Sequence, residues 1–249
     1  MADDFARMHY PGESPEYRQA RNTLLAAEIA LRRQTEAVAE MRRALPPGGE
    51  VPEDYVFERI GAFSRPEKVR LSELFGEFPS IMLYSLMYGP DRDAACPGCT
   101  HLLDCAEGAA RHLPYRAPLY VVSRSPIARL SAWAHSRGWN HLQMLSTAGN
   151  DYSRDYYGYT AGLTPAMRAE RGYADDENWD EPMLNVFRRD GDKVRHFWGS
   201  ELVYAPEDPG QHHRGLDFFD SLWGLLDTTP EGRGTDYFPK VTYPADAVG

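Results

Sequence analysis

The chain has 249 residues, 42% hydrophobic and 26% charged, with 37 acidic against 27 basic side chains and a formal net charge of −10. That length builds one large domain or two small ones around a sizeable core. The negative balance argues against a nucleic-acid or anionic-membrane partner, and three cysteines are too few, and odd in number, for a disulfide framework. The basic pairs Arg32-Arg33 and Arg42-Arg43 read as a solvated helix face. Met1 to Gln19 carries neither an apolar h-region nor a small-residue cleavage site. No stretch approaches the ~20 apolar residues of a membrane helix. These features lead to the expectation of a cytoplasmic protein.

Residues Pro15 to Leu45 predict one long helix. Tyr17, Leu24, Leu31, Val38 and Leu45 recur every seven residues, and Pro46-Pro47-Gly48-Gly49 stops the run. The stripe suits either packing within its own domain or a subunit contact through a narrow seam. Tyr55-Val56-Phe57 and Lys68 to Leu71 predict short strands, followed by a helical turn at Ser72 to Phe75. Ser80 to Tyr88 is a nearly continuous apolar run, the pattern of a central strand buried on both faces. A helix is expected over Pro97 to Leu113 and a second buried strand over Pro118 to Val122. Ser125 is positioned to cap a helix from Pro126 to Arg137, ended by Gly138. His141 to Leu145 reads as a strand, Met183 to Arg188 and Lys193 to Trp198 as a hairpin, and Leu216 to Leu226 as a last helix. This order implies parallel strands with right-handed crossovers, completed into a mixed sheet covered on both faces. The loop from Thr147 to Glu181 is long for a compact domain, as functional or mobile loops are. Its aromatic group, Tyr152, Tyr156, Tyr157, Tyr159 and Trp179, suits loop packing or a ligand surface.

Cys96-Pro97-Gly98-Cys99 falls where a strand's carboxyl end meets a helix start. A free thiol has a pKa of about 8.5, and the thiolate is the nucleophile. Unpaired N–H groups and the helix dipole favour the anion at that position. Cys96 is therefore the expected attacking thiolate, and Cys99, one turn in, the resolving one. Pro97 suits the first helical position because it has no N–H to leave unpaired. Asp91 and Asp93, if close, would raise the thiol pKa. A zinc site wants four ligands, usually in two spaced pairs. No second CxxC exists, and His101, His112 and His212-His213 have no paired spacing with a distant cysteine, so no metal site is expected. Cys105 reads as a small core residue.

Leu83 to Asp91 followed by Cys96 to Cys99 resembles the thioredoxin-like family catalogued as domain of unknown function 899. Members of that family are labelled predicted dithiol-disulfide oxidoreductases. Further matching pieces are Tyr17 to Leu45, Asp54 to Phe57, Val121 to Pro126, Gly138-Trp139 and Leu226 to Arg233, which cover nearly the whole chain in order. The resemblance implies a cis-proline opening the strand opposite the dithiol, and Pro182, at the head of Met183 to Arg188, is the match. The family pattern has His where Ser85 stands and Trp where Arg92 stands, and the stretch from Tyr159 to Glu181 departs from it. Leu142 to Leu145 with Asn150 to Gly158 also looks like the peroxiredoxin arrangement. Peroxiredoxins, however, carry a proline seven residues and a Thr or Ser three residues before the attacking cysteine, where this chain has Gly89 and Asp93.

The expectation is thus an α/β protein: a thioredoxin-like, peroxiredoxin-like mixed sheet with helices on both faces, residues 51–249, behind an N-terminal helical extension, residues 1–50. Its expected reaction is thiol–disulfide exchange, with Cys96 and Cys99 catalytic and Pro97 and Pro182 shaping the substrate groove. The alternatives are a binding or redox-sensing protein without turnover, and a peroxiredoxin-like peroxidase. No organic cofactor is expected. The partners would be a disulfide-containing protein or small molecule and a dithiol electron donor, with a homo-oligomer through the first helix as a further expectation.

Overall fold

A computed structural model describes residues 8–174, 176–212 and 214–243. The chain divides between Pro47 and Gly48 into two compact units. The first is built on α1 (Pro15–Arg43). Ser14 caps it by accepting the Tyr17 N–H at 3.2 Å, Pro15 occupies the first turn, and Arg42 and Arg43 meet the negative end of the dipole. The helix buries none of its residues, so among the described residues its seven-residue stripe has no partner within this unit. Among the described residues no helix is long and apolar enough to cross a membrane.

The second unit is a seven-stranded mixed sheet. Its strands are β1 (Val56–Ile60), β2 (Pro66–Arg70), β3 (Ser80–Ser85), β4 (Leu119–Ser123), β5 (Gln143–Ser146), β6 (Met183–Asp190) and β7 (Lys193–Gly199), in the order β2-β1-β5-β4-β3-β6-β7. β3, β4 and β5 run parallel, with Leu83 opposite Tyr120 and Val122 opposite Leu145. β6 returns antiparallel against β3, with Met183 opposite Ser85, and a bulge at Val186/Phe187 bends the β6–β7 hairpin. Alternation along β3 and β4 divides the core by face. Tyr84, Leu119 and Val121 join α2 (Pro97–Ala110) and α3 (Ile127–Arg137) through Leu103, Ala106 and Leu130. Ile81, Leu83 and Val122 face the opposite layer, with Phe57, Phe75, Phe187 and Tyr152. That layer is closed by the turn Leu71–Phe75 and by α4 (Tyr152–Asp155). Two further short helices are α5 (Pro165–Glu170) and α6 (Ser221–Leu226).

Both outer strands have their edges blunted. The β2 edge reads Pro66-Glu67-Lys68, exposed and charged. Along β7, the segment Gly48–Val51 supplies the missing partner: Val51 N–H donates to the Val194 carbonyl at 3.0 Å and His196 N–H to the Gly49 carbonyl at 2.9 Å.

Several elements differ from expectation for local reasons. β3 stops at Ser85 although the apolar run continues to Tyr88, because the Met87 carbonyl turns away to accept the Cys96 N–H at 3.0 Å. Pro126, not Ser125, is the first residue of α3's cap, and the buried Ser125 hydroxyl instead lies 3.3 Å from Arg129 Nη1. The last helix begins only at Ser221, where the Asp220 carboxylate accepts the Leu222 N–H at 3.1 Å. The aromatics of the long loop are packing groups in the main. Tyr152 is fully buried and meets Tyr55, Phe57 and Tyr156 at ring separations of 5.6, 5.4 and 5.1 Å.

Candidate active site

The loop after β3 delivers Cys96 to the cap position of α2, with Pro97 in the first turn. All three cysteines are free thiols. Cys96 is partly exposed and Cys99 buried. The two thiols differ electrostatically. The hydrogen bond from Cys99 is the main cause bringing the Cys96 pKa down to about 6. The backbone N–H groups of Cys99 and Gly98 at the helix start and the charge of Arg92 add to it, against the opposing effect of burial. Cys99 is pushed well up, first by holding its proton on Cys96 and then by burial, while the Tyr84 hydroxyl opposes the shift. A neighbouring cation, Arg92, is thus among the groups that favour the Cys96 anion.

A cavity of about 200 Å³ opens beside the pair. Cys96, Cys99 and Pro182 line it, with Tyr84, Trp223 and Phe238. Gly98 rather than Pro97 faces it, and a methyl group on Gly98 would lie 3.1 Å from the Phe238 ring. Pro182 is where the resemblance implied, opposite the dithiol, but its peptide bond is trans, as are all those described. The chain enters β6 already extended: Asp180 bridges to Tyr159, and the Glu181 N–H donates to the Gly158 carbonyl at 3.1 Å. The Pro182 carbonyl accepts the Tyr204 hydroxyl at 2.7 Å. Of the histidines weighed as metal ligands, His101 and His212 line this cavity, His112 is exposed, and His213 lies outside the described residues. Cys105 is half-buried rather than a core residue.

The dithiol loop is held from three sides by groups that sequence reading did not single out. The buried Asp180 accepts the Gly89 N–H at 2.6 Å through one oxygen and Arg124 Nε at 2.8 Å through the other. The Arg124 guanidinium lies 3.6 Å over the Tyr159 ring. Arg129 donates to the Gly89 carbonyl at 3.1 Å and to the Arg92 carbonyl, and stacks on Tyr88. A Cβ on Gly89 would come within 2.6 Å of Asp180 and 2.7 Å of Arg124. The position therefore requires both a bare α-carbon and an N–H, and proline supplies neither. The only sequence signal for this clamp was the run Val121 to Pro126, which contains Arg124. Its partner Asp180 is 56 residues away.

A larger cavity of about 610 Å³ involves Tyr156, Asn185, His196 and Tyr204. Its polar centre is the His196 Nε2–Asn185 Oδ1 pair at 2.9 Å, and burial lowers the His196 pKa. It contains neither cysteine.

A strand, a loop, a CxxC pair and a helix at the parallel centre of a mixed sheet define a thioredoxin-like fold. The chain belongs to the family described as "Bacterial protein of unknown function (DUF899)", whose model matches residues 7–246. No curated protein matches the chain. Among solved structures, it is similar to the peroxidoxin BcpB from Mycobacterium tuberculosis, with 15% identity, 71% of this chain and 95% of that one covered, and a TM-score of 0.43. It is likewise similar to AhpC from Enterococcus faecalis, with 14% identity, coverage of 78% and 98%, and a TM-score of 0.43. A third is a putative thioredoxin reductase from Burkholderia cenocepacia, with 16% identity, coverage of 68% and 90%, and a TM-score of 0.41.

Proposed function

We propose that the protein is a thiol–disulfide oxidoreductase working through Cys96 and Cys99. The observation that carries this reading is the asymmetry of the pair. Cys96 is the partly exposed thiol lowered to about 6, and Cys99 is the buried one pushed up. In the reaction, the Cys96 thiolate attacks one sulfur of a substrate disulfide. The S–S bond breaks, and the first substrate sulfur leaves as a thiolate that takes up a proton. Cys99 then loses its proton and attacks Cys96, releasing the second substrate thiol and leaving a Cys96–Cys99 disulfide. A dithiol donor returns two electrons and two protons to the pair. No organic cofactor enters this scheme. Pro182 forms the wall against which the substrate sulfur is presented.

The substrate is a disulfide-bearing protein or small molecule. The compartment is a reducing cytoplasm, consistent with three unpaired thiols. Nucleic acid and membrane are not partners in this reading, on the strength of the net charge of −10. The stripe on α1 is proposed to join two copies of the chain.

The test is reduction of insulin or of a chromogenic disulfide by wild type, Cys96→Ser and Cys99→Ser. Wild type is expected to turn over. Cys96→Ser should be inactive, and Cys99→Ser should accumulate a mixed disulfide. Equal rates for wild type and Cys96→Ser would sink the proposal. The absence of turnover in all three would favour a binding or redox-sensing role. A peroxidase would instead consume hydrogen peroxide. The site argues against that reading, because Gly89 and Asp93 stand where a peroxidatic loop has proline and a hydroxyl.

A further inference from the structure

Three metal-ligating side chains converge beside the dithiol cavity, and two of them, His101 and Asp220, line it. His101 and Cys105 lie four residues apart on α2, so both project from one helix face. Asp220 approaches from the start of α6. One ligand atom from each, a ring nitrogen, a sulfur and a carboxylate oxygen, lies within 4.8 Å of the other two. His101 Nε2 already stands 2.8 Å from Asp220 Oδ2, and both side chains are largely buried. The other Asp220 oxygen accepts the Leu222 N–H, which fixes the carboxylate's orientation from behind. The Trp223 ring packs edge-on against His101 at 5.8 Å.

We propose that His101, Cys105 and Asp220 form a three-ligand site for a zinc-class divalent cation. Nitrogen, thiolate and carboxylate together suit a borderline ion such as Zn²⁺. A thiolate and a carboxylate also neutralise its two positive charges, which matters in a poorly solvated wall. Bond lengths of 2.0–2.3 Å in a tetrahedron place neighbouring ligand atoms roughly 3.3–3.7 Å apart. Binding therefore widens the His101–Asp220 contact by about half an ångström and draws Cys105 inward by up to about an ångström, within the reach of side-chain rotation. His101 and Asp220 line the cavity shared with Cys96 and Cys99. The site uses neither dithiol sulfur and stands or falls apart from the proposed reaction.

The chain has three cysteines, so in the double variant Cys96→Ser/Cys99→Ser the sole thiol is Cys105. That full-length variant, reduced, is titrated with Co²⁺, which takes tetrahedral sites and reports a bound thiolate by a near-ultraviolet charge-transfer band. The expected result is a saturable band at one equivalent, displaced by one equivalent of Zn²⁺. The band should be lost on adding Cys105→Ser, with affinity at least tenfold weaker on adding Asp220→Asn. Asn keeps the helix cap while removing the charged ligand, and circular dichroism checks that each variant is folded. A band seen in wild type but missing from the double variant would place the metal on the dithiol and overturn the proposal. So would a band unchanged by Asp220→Asn.

Discussion

Arg92 stands four residues before Cys96 and contributes a positive charge to the thiolate's surroundings. Its worth is measurable as a pH midpoint. Only the thiolate is alkylated, so the iodoacetamide rate of wild type should climb as pH rises through about 6 and level off well below the usual thiol range. Arg92→Ala removes a charge that favours the anion, so the midpoint moves upward. Cys99→Ala takes away the hydrogen bond that lowers Cys96 most and should move it further. A midpoint for wild type near 8.5 would remove the asymmetry on which the reaction rests. Ser85 gives a prediction of the opposite character. Its hydroxyl is buried with no hydrogen-bond partner among the described residues, and Gly158 packs so closely that a Cβ there would lie 2.6 Å from it. Such a group costs its desolvation and returns nothing, so Ser85→Ala should be neutral or stabilising by ~1 kcal/mol in thermal unfolding.

Between β3 and α2, residues 86–95 have no regular structure, and the geometry of Cys96 depends on what holds them. Asp180, Arg124 and Arg129 do so from other segments. Asp180→Ala strands a guanidinium and a buried N–H together. It should lower stability by about 3 kcal/mol in denaturant unfolding and broaden the thiol's pH profile as the loop loses a single conformation. Gly89→Pro should be at least as damaging. This clamp marks the limit of what was legible beforehand. The dithiol's placement was readable because proline at the helix start, a bounding apolar strand and the cysteine spacing are all local signals. The pairing of Asp180 with Gly89 spans 91 residues, and nothing local in either segment announces it. The trans bond at Pro182 was likewise not legible from the residues around it. By contrast, the strands with continuous apolar runs were legible to within a few residues. Their ends were not, because pairing rather than hydrophobicity sets where a ladder stops.

On the scale of the whole chain, α1 and the sheet unit answer to different tests. A helix whose stripe finds no partner in its own unit gains by packing on a second copy. Removing residues 1–45 should therefore lower the mass in solution from that of a dimer to that of a monomer, and leave turnover of the chromogenic disulfide within about twofold. A full-length chain that is already monomeric by light scattering would end that reading. The carboxyl-terminal region is held differently. Arg233 donates to both Asp217 and Asp227, which holds the Asp227 carboxyl well below the usual carboxylate range. A depressed carboxylate stabilises the fold above its unfolded value and loses that contribution as pH falls, so the segment Leu226 to Arg233 should loosen in strong acid.

The segment Gly48–Val51 has a consequence for how the protein tolerates cutting. It occupies the outer side of β7 as a short eighth strand would, while β2 protects the far side with charge alone. A chain trimmed to begin at Gly48 keeps that cover. One trimmed to begin at Asp54 presents a bare row of β7 amides and carbonyls to its neighbours, and should pass from a dispersed species into aggregates although Cys96 and Cys99 are both retained.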